Sequence, residues 1–65
     1  MGVVTNVVAA KGYFFCRDEF NDTFYGHCSQ LLNIELDELK SGQAVTFTVH
    51  RATRGPAASN VVAIF

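Results

Sequence analysis

The stretch Lys11-Gly12-Tyr13-Phe14-Phe15-Cys16, followed after Arg17 to Asp22 by Thr23-Phe24-Tyr25-Gly26-His27-Cys28, decides how this chain folds. Two aromatic-rich runs on either side of a polar segment read as antiparallel strands joined by a loop. A register centred near residue 20 sets Tyr13 opposite His27 and Phe15 opposite Tyr25. Side chains alternate across a strand, so these four share one face, with Lys11 at its edge, while Phe14, Cys16, Phe24 and Gly26 share the other. On the second face a large Phe14 meets a small Gly26, as expected of a packed interior.

Strand signals continue outward in both directions. Val3, Val4, Val7 and Val8 open the chain, and Ala9-Ala10-Lys11-Gly12 forms a turn closed by glycine. Towards the C-terminus, Leu31, Leu32, Ile34, Leu36 and Leu39 mix helical and irregular spacing, so residues 29–41 read as a long connection carrying a helical turn. Ser41-Gly42 marks a turn, and Ala44 to His50 alternates apolar with polar, as a half-buried strand does. Thr53-Arg54-Gly55-Pro56 reads as a loop and Ser59 to Phe65 as a last strand. Three strands, a long link and two more strands predict an all-β, five-stranded antiparallel Greek-key barrel, the OB-fold, with residues 1–65 as a single domain. The 65 residues leave room for no second domain, and their core is thin.

Composition narrows the function. The net charge is −1, with Lys11, Arg17, Lys40, Arg51 and Arg54 as the bases, which is not the basic excess usual in nucleic-acid binders. The acids gather at Asp18, Glu19 and Asp22 and again at Glu35, Asp37 and Glu38, leaving the rest of the surface free to be locally positive. With two cysteines and an N-terminus, MGVVTNVV, lacking a charged region and cleavage site, reduced thiols are expected. No apolar run approaches the roughly 20 residues needed to cross a bilayer, so the expectation is a soluble cytoplasmic protein, a monomer, with no membrane partner.

The face bearing Tyr13, Phe15, Tyr25 and His27 is expected to be a flat set of rings beside a cation. Aromatic residues in strands most often serve β-propensity and core filling. Parity argues otherwise here, because both faces of so small a sheet cannot be interior. Base–aromatic stacking contributes about 1–3 kcal/mol per base and tolerates many sequences, so such a face can hold a single strand; a duplex offers no free base faces.

The same residues resemble the cold-shock domain family over nearly the whole chain. Gly2-Val3-Val4 resembles the opening Gly-x-Val, and Lys11 to Cys16 the RNP1 motif, usually Lys-Gly-Phe-Gly-Phe-Ile. Thr23 to Ser29 resembles RNP2, usually Asp-Val-Phe-Val-His-Phe-Ser. Leu39 and Gly42-Gln43-Ala44-Val45-Thr46-Phe47 resemble Leu-x-x-Gly-Gln-x-Val-x-Phe, and Arg54 to Val61 the closing (Lys/Arg)-Gly-Pro-x-Ala-x-Asn-Val. The resemblance implies a β-barrel that binds single-stranded DNA or RNA, prefers pyrimidine-rich stretches, and acts as an RNA chaperone or regulator of gene expression. It places Lys11, Tyr13, Phe15, Tyr25, His27 and Arg54 at the family's nucleic-acid-binding positions.

The departures fall on that face. The family's Lys-Trp-Phe-Asn is Thr5-Asn6-Val7-Val8 here, and Thr23 replaces an aspartate. Rings are missing at Asn6, Cys28 and Leu36, and at about 1 kcal/mol each their loss weakens binding by roughly two orders of magnitude. The family's small residue in RNP1 is Phe14 and its RNP2 valine is Gly26, an exchange of interior volume across one pair that leaves the barrel intact. The missing rings also favour a second reading, a degenerate barrel that docks on a protein partner through the acidic 35–38 segment. Catalysis, metals and cofactors are not expected: Cys16, His27, Cys28 and His50 fit no zinc spacing. Parity sets His27 and Cys28 on opposite faces, which also argues against a Cys–His nucleophile.

Overall fold

The computed structural model describes residues 1–52 and 55–65, so Arg54 lies outside the described residues. The chain is all-β, with strands β1 (Gly2–Val8), β2 (Tyr13–Asp18), β3 (Thr23–His27), β4 (Ala44–Ala52) and β5 (Gly55–Ala63). Short 3-10 turns occupy Ala9–Lys11, Cys28–Gln30 and Leu36–Glu38. The strands pair in the order β1-β2-β3-β5-β4, and the ring closes where β4 returns to β1 at Gly2–Val45 and Val3–Ala44. Closure pairs part of the edge that a small open sheet would expose.

Two features differ from the sequence expectation. The sheet is mixed rather than wholly antiparallel, because β3 meets β5 in parallel at Tyr25–Ala57. The pairing is non-local, and no hairpin-type signal in the sequence marks it. Gly55 and Pro56 belong to β5 rather than to a loop, and β4 runs on to Ala52, so this arm is longer than its apolar alternation suggested. Proline is tolerated in a strand where its missing N–H is not needed by a neighbour, and Pro56 is exposed opposite Arg51.

The β2–β3 pairing follows the expected register along its length, from Tyr13–His27 through Phe14–Gly26, Phe15–Tyr25 and Cys16–Phe24 to Arg17–Thr23. Local chemistry fixes the loop between them. Asp18 Oδ1 accepts the backbone N–H groups of Phe20 and Asp22 at 3.0 and 2.9 Å. Asn21 takes the left-handed conformation, with φ 73°, that asparagine tolerates better than most residues. Asp18 is therefore engaged in closing the turn. At the other end of β2, Gly12 adopts φ 79° and caps the 3-10 turn that carries Lys11.

The interior is built from Val4, Phe14, Cys16, Phe24, Leu39, Val45, Ala58, Val61 and Ala63. Phe14 is wholly buried, and its ring occupies the space above Gly26: a Cβ there would come within 2.6 Å of Phe14 Cε2 and 2.8 Å of Cε1. The long connection covers one end of this core. Leu31, Ile34 and Leu36 pack against the core, and Leu39 enters it. Asn33 ties the connection to β5, donating from Nδ2 to the Ala63 carbonyl at 2.9 Å and accepting the Ala63 N–H at 2.8 Å. The irregular spacing of those leucines thus reflects a plug and not an amphipathic helix.

Burial pushes the Cys16 thiol up from 9.0 to about 11, with the nearby Asp18 carboxylate acting in the same direction. Folding thus holds a proton that the unfolded chain releases first. Stability should be unaffected by this group below pH 9.0, then decline as pH rises from 9.0 to about 11, by about 2–3 kcal/mol in all. Urea unfolding at pH 8 and 10.5 checks this, with Cys16→Ala showing a smaller loss across the same interval. An equal loss in both proteins would refute it.

Candidate nucleic-acid interface

The outer face follows from the register. Tyr13 and Phe15 on β2 are half-buried, while Tyr25 and His27 on β3 are exposed, with Tyr25 retaining 37% of its surface. Phe14, Cys16, Phe24 and Gly26 point the other way and are buried. The rings lie in mutual contact, with centroids 5.6 Å apart for Tyr13–Phe15, 5.5 Å for Tyr13–Tyr25 and 6.1 Å for Phe15–Tyr25.

The cluster is not flat, as the sequence reading expected. The same three pairs meet at 82°, 39° and 69°: Tyr13–Phe15 and Phe15–Tyr25 pack edge to face, an arrangement that the ring quadrupole favours, and Tyr13–Tyr25 is tilted. Tyr25 is the most open of the three rings to solvent.

His27 ends β3 and caps the turn that follows. Its Nδ1 accepts the Ser29 backbone N–H at 3.2 Å and lies 2.8 Å from Ser29 Oγ. A ring nitrogen that accepts from an amide carries no proton, so in the neutral imidazole the N–H is Nε2, on the far side of the ring. Among the described residues that N–H has no partner, so it can donate to an oxygen on a bound molecule. Lys11, exposed on its 3-10 turn, supplies a cation at the same end of the face.

The strand alternation expected through Cys28 stops one residue short. Parity does not separate His27 from Cys28, because β3 ends at His27 and Cys28 begins a 3-10 turn. Cys28 Sγ lies 3.9 Å from His27 Nδ1. The Ser29 N–H and Oγ compete with the thiol for that nitrogen. Among the described residues no cluster of three metal-ligating side chains occurs.

Beyond Cys28 the surface continues as an open groove lined by Gly12, Cys28, Leu31, Leu36 and the acidic residues Glu35, Asp37 and Glu38. The positions that lack rings, Cys28 and Leu36, line this groove, and Asn6 lies on the opposite flank, paired with Phe15. A bulge at Thr5 between the Val4–Cys16 and Asn6–Phe15 pairs turns Asn6 outward. The face also includes a cation that the sequence reading passed over. Arg17, two residues beyond Phe15 on β2, is exposed and pairs with Thr23. The alternation that found Phe15 was sufficient to find it.

A closed β-sheet bearing a clustered set of rings on its outer surface is the architecture of a nucleic-acid-binding class. This chain belongs to the cold-shock domain family: the family described as the 'Cold-shock' DNA-binding domain matches residues 1–64. It is similar to Cold shock protein CspA of Staphylococcus aureus strain USA300, with 38% identity over 61 residues covering 94% of this chain and 92% of that protein. Cold shock protein CspA of strain NCTC 8325 / PS 47 matches to the same extent. Among the described residues no helix is long and apolar enough to cross a membrane.

Proposed function

We propose that this protein binds single-stranded RNA or DNA by stacking bases on Tyr13, Phe15, Tyr25 and His27, with Lys11 and Arg54 attracting phosphate. Its role would be that of an RNA chaperone or regulator of gene expression, acting in the cytoplasm with residues 1–65 as one domain. The observation that carries this reading is the contact cluster of Tyr13, Phe15 and Tyr25 on the outer face, continuous with the exposed His27. A partly exposed cluster of rings on a small domain marks a surface that a partner covers, and stacked bases suit its composition. His27 Nε2–H adds a donor for a base carbonyl or phosphate oxygen.

Binding is expected to be weaker than a full platform would give, because Asn6, Cys28 and Leu36 offer no rings. The carboxylates beside the groove add to this by repelling phosphate. Those same features favour the second reading, a family barrel that has lost affinity for nucleic acid and docks on a protein.

Titration with oligo-dT and oligo-U at low salt, followed by NMR, separates the two. Shifts concentrated at Tyr13, Phe15, Tyr25 and His27 are expected, and silence at millimolar oligonucleotide would reject the proposal. Phe15→Ala should weaken binding about tenfold, since one stacked base contributes 1–3 kcal/mol. Arg51→Ala should change it less than twofold: by strand alternation Arg51 faces away from His50 and the outer face. The reverse order would count against stacking as the main source of affinity.

A further inference from the structure

The pairing pattern carries the outer face across strands that are distant in sequence. Asn6 pairs with Phe15, Phe15 with Tyr25, Tyr25 with Ala57 and Ala57 with His50. Directly paired residues point to the same side of a sheet, so these five form one row across β1, β2, β3, β5 and β4. Phe15 and Ala57 are half-buried, whereas Asn6, Tyr25 and His50 are exposed. The row contains no carboxylate. On the β1 flank it ends in a side chain with no ring, and on the β4 flank it ends in an imidazole.

Building on the proposed function, we propose that Tyr25, Ala57 and His50 form a further subsite that takes one nucleobase, so that a bound strand leaves the ring cluster towards β4 rather than over β1. Two interstrand steps of about 4.8 Å separate the backbones of Tyr25 and His50 by about 10 Å. A base sandwiched between two rings needs about 7–8 Å between their planes, two van der Waals contacts of 3.5–4.0 Å. Tyr25 and His50 are both exposed, and rotation about χ1 and χ2 has to bring their rings to that separation. Ala57 raises only a methyl group above the sheet, which gives the edge of the base a small apolar floor. Its neighbours along β4 and β5 are Thr48, exposed, and Ser59, whose Oγ is turned to the Thr48 carbonyl at 3.2 Å. Neither crowds the trough with a larger side chain.

The test uses the full chain and oligo-dT of about eight nucleotides, within the range covered by one such barrel. The ring protons of His50 should shift together with those of Tyr13, Phe15 and Tyr25. His50→Ala should weaken binding about fivefold to tenfold, and His50→Phe should keep it within twofold, because a ring is what the subsite needs. Ala57→Leu, which fills the trough while leaving both rings, should weaken binding as much as His50→Ala. If the Tyr13, Phe15 and Tyr25 signals respond while His50 is silent and His50→Ala and Ala57→Leu both bind normally, the subsite is refuted and the proposed function stands. If none of these residues responds, the proposed function falls and the subsite with it.

Discussion

Gly26→Val should cost the protein much of its stability at 25 °C. The position is buried in β3 directly opposite Phe14, and even a methyl group there would overlap the Phe14 ring. Phe14 has no free surface to move into and is packed on all sides by the barrel interior. Overpacking a core typically costs about 1–3 kcal/mol and more where the neighbour cannot yield, so about 3 kcal/mol or more is expected. A chain of 65 residues has roughly 3–10 kcal/mol of stability in total, and a loss of that size removes much of it. Urea unfolding followed by circular dichroism would show the loss, and an unchanged midpoint would refute it. The informative companion is Phe14→Ala combined with Gly26→Val. Phe14→Ala alone should cost about 3–5 kcal/mol through the cavity it leaves, and the second substitution should refill part of that cavity. The pair should therefore be more stable than additivity predicts by about 1–3 kcal/mol. Strict additivity would mean that interior volume is not shared across this pair.

The same pair shows how much the sequence discloses. Register and parity between β2 and β3 could be read from residues 11–28 because both strands and their loop are contiguous, and a one-residue slip would have buried Tyr25 and exposed Phe14. The buried Phe14, Cys16, Phe24 and Gly26 and the outward Tyr13, Phe15, Tyr25 and His27 follow from that single choice. What could not be read depends on contacts across the chain. The parallel Tyr25–Ala57 contact brings β5 beside β3, and only through it does His50 join the outer row. The proximity of Cys28 to His27 depends on where β3 stops, and a turn starting one residue earlier than assumed cancels the alternation rule. The leucines of residues 31–39 carry no clean period because the surface they cover is the open end of a barrel. The angles between the rings are also invisible to strand alternation, which fixes the side a ring occupies and not its tilt.

Restoring rings at two of the bare positions should raise affinity for oligo-dT by about thirtyfold or more. Asn6→Trp places a large ring beside Phe15 on the exposed flank of β1, and Cys28→Phe places one beyond His27 at the mouth of the groove. Each added ring that stacks on a base contributes about 1 kcal/mol at the least, and 1.4 kcal/mol is a factor of ten in affinity. The tryptophan introduced at position 6 also supplies a fluorescence signal, which oligo-dT should quench. Salt dependence distinguishes this mechanism from an electrostatic one. Affinity for single strands falls with salt at a slope of about −0.7 for each phosphate neutralised, and neither substitution adds a charge. The gain should therefore appear as a parallel displacement of the affinity-against-salt line. A steeper line would mean that the substitutions had drawn Lys11 or Arg17 onto phosphate. An unchanged affinity with a quenched tryptophan would mean that bases reach position 6 without stacking there, and the ring-counting account of this face would fail.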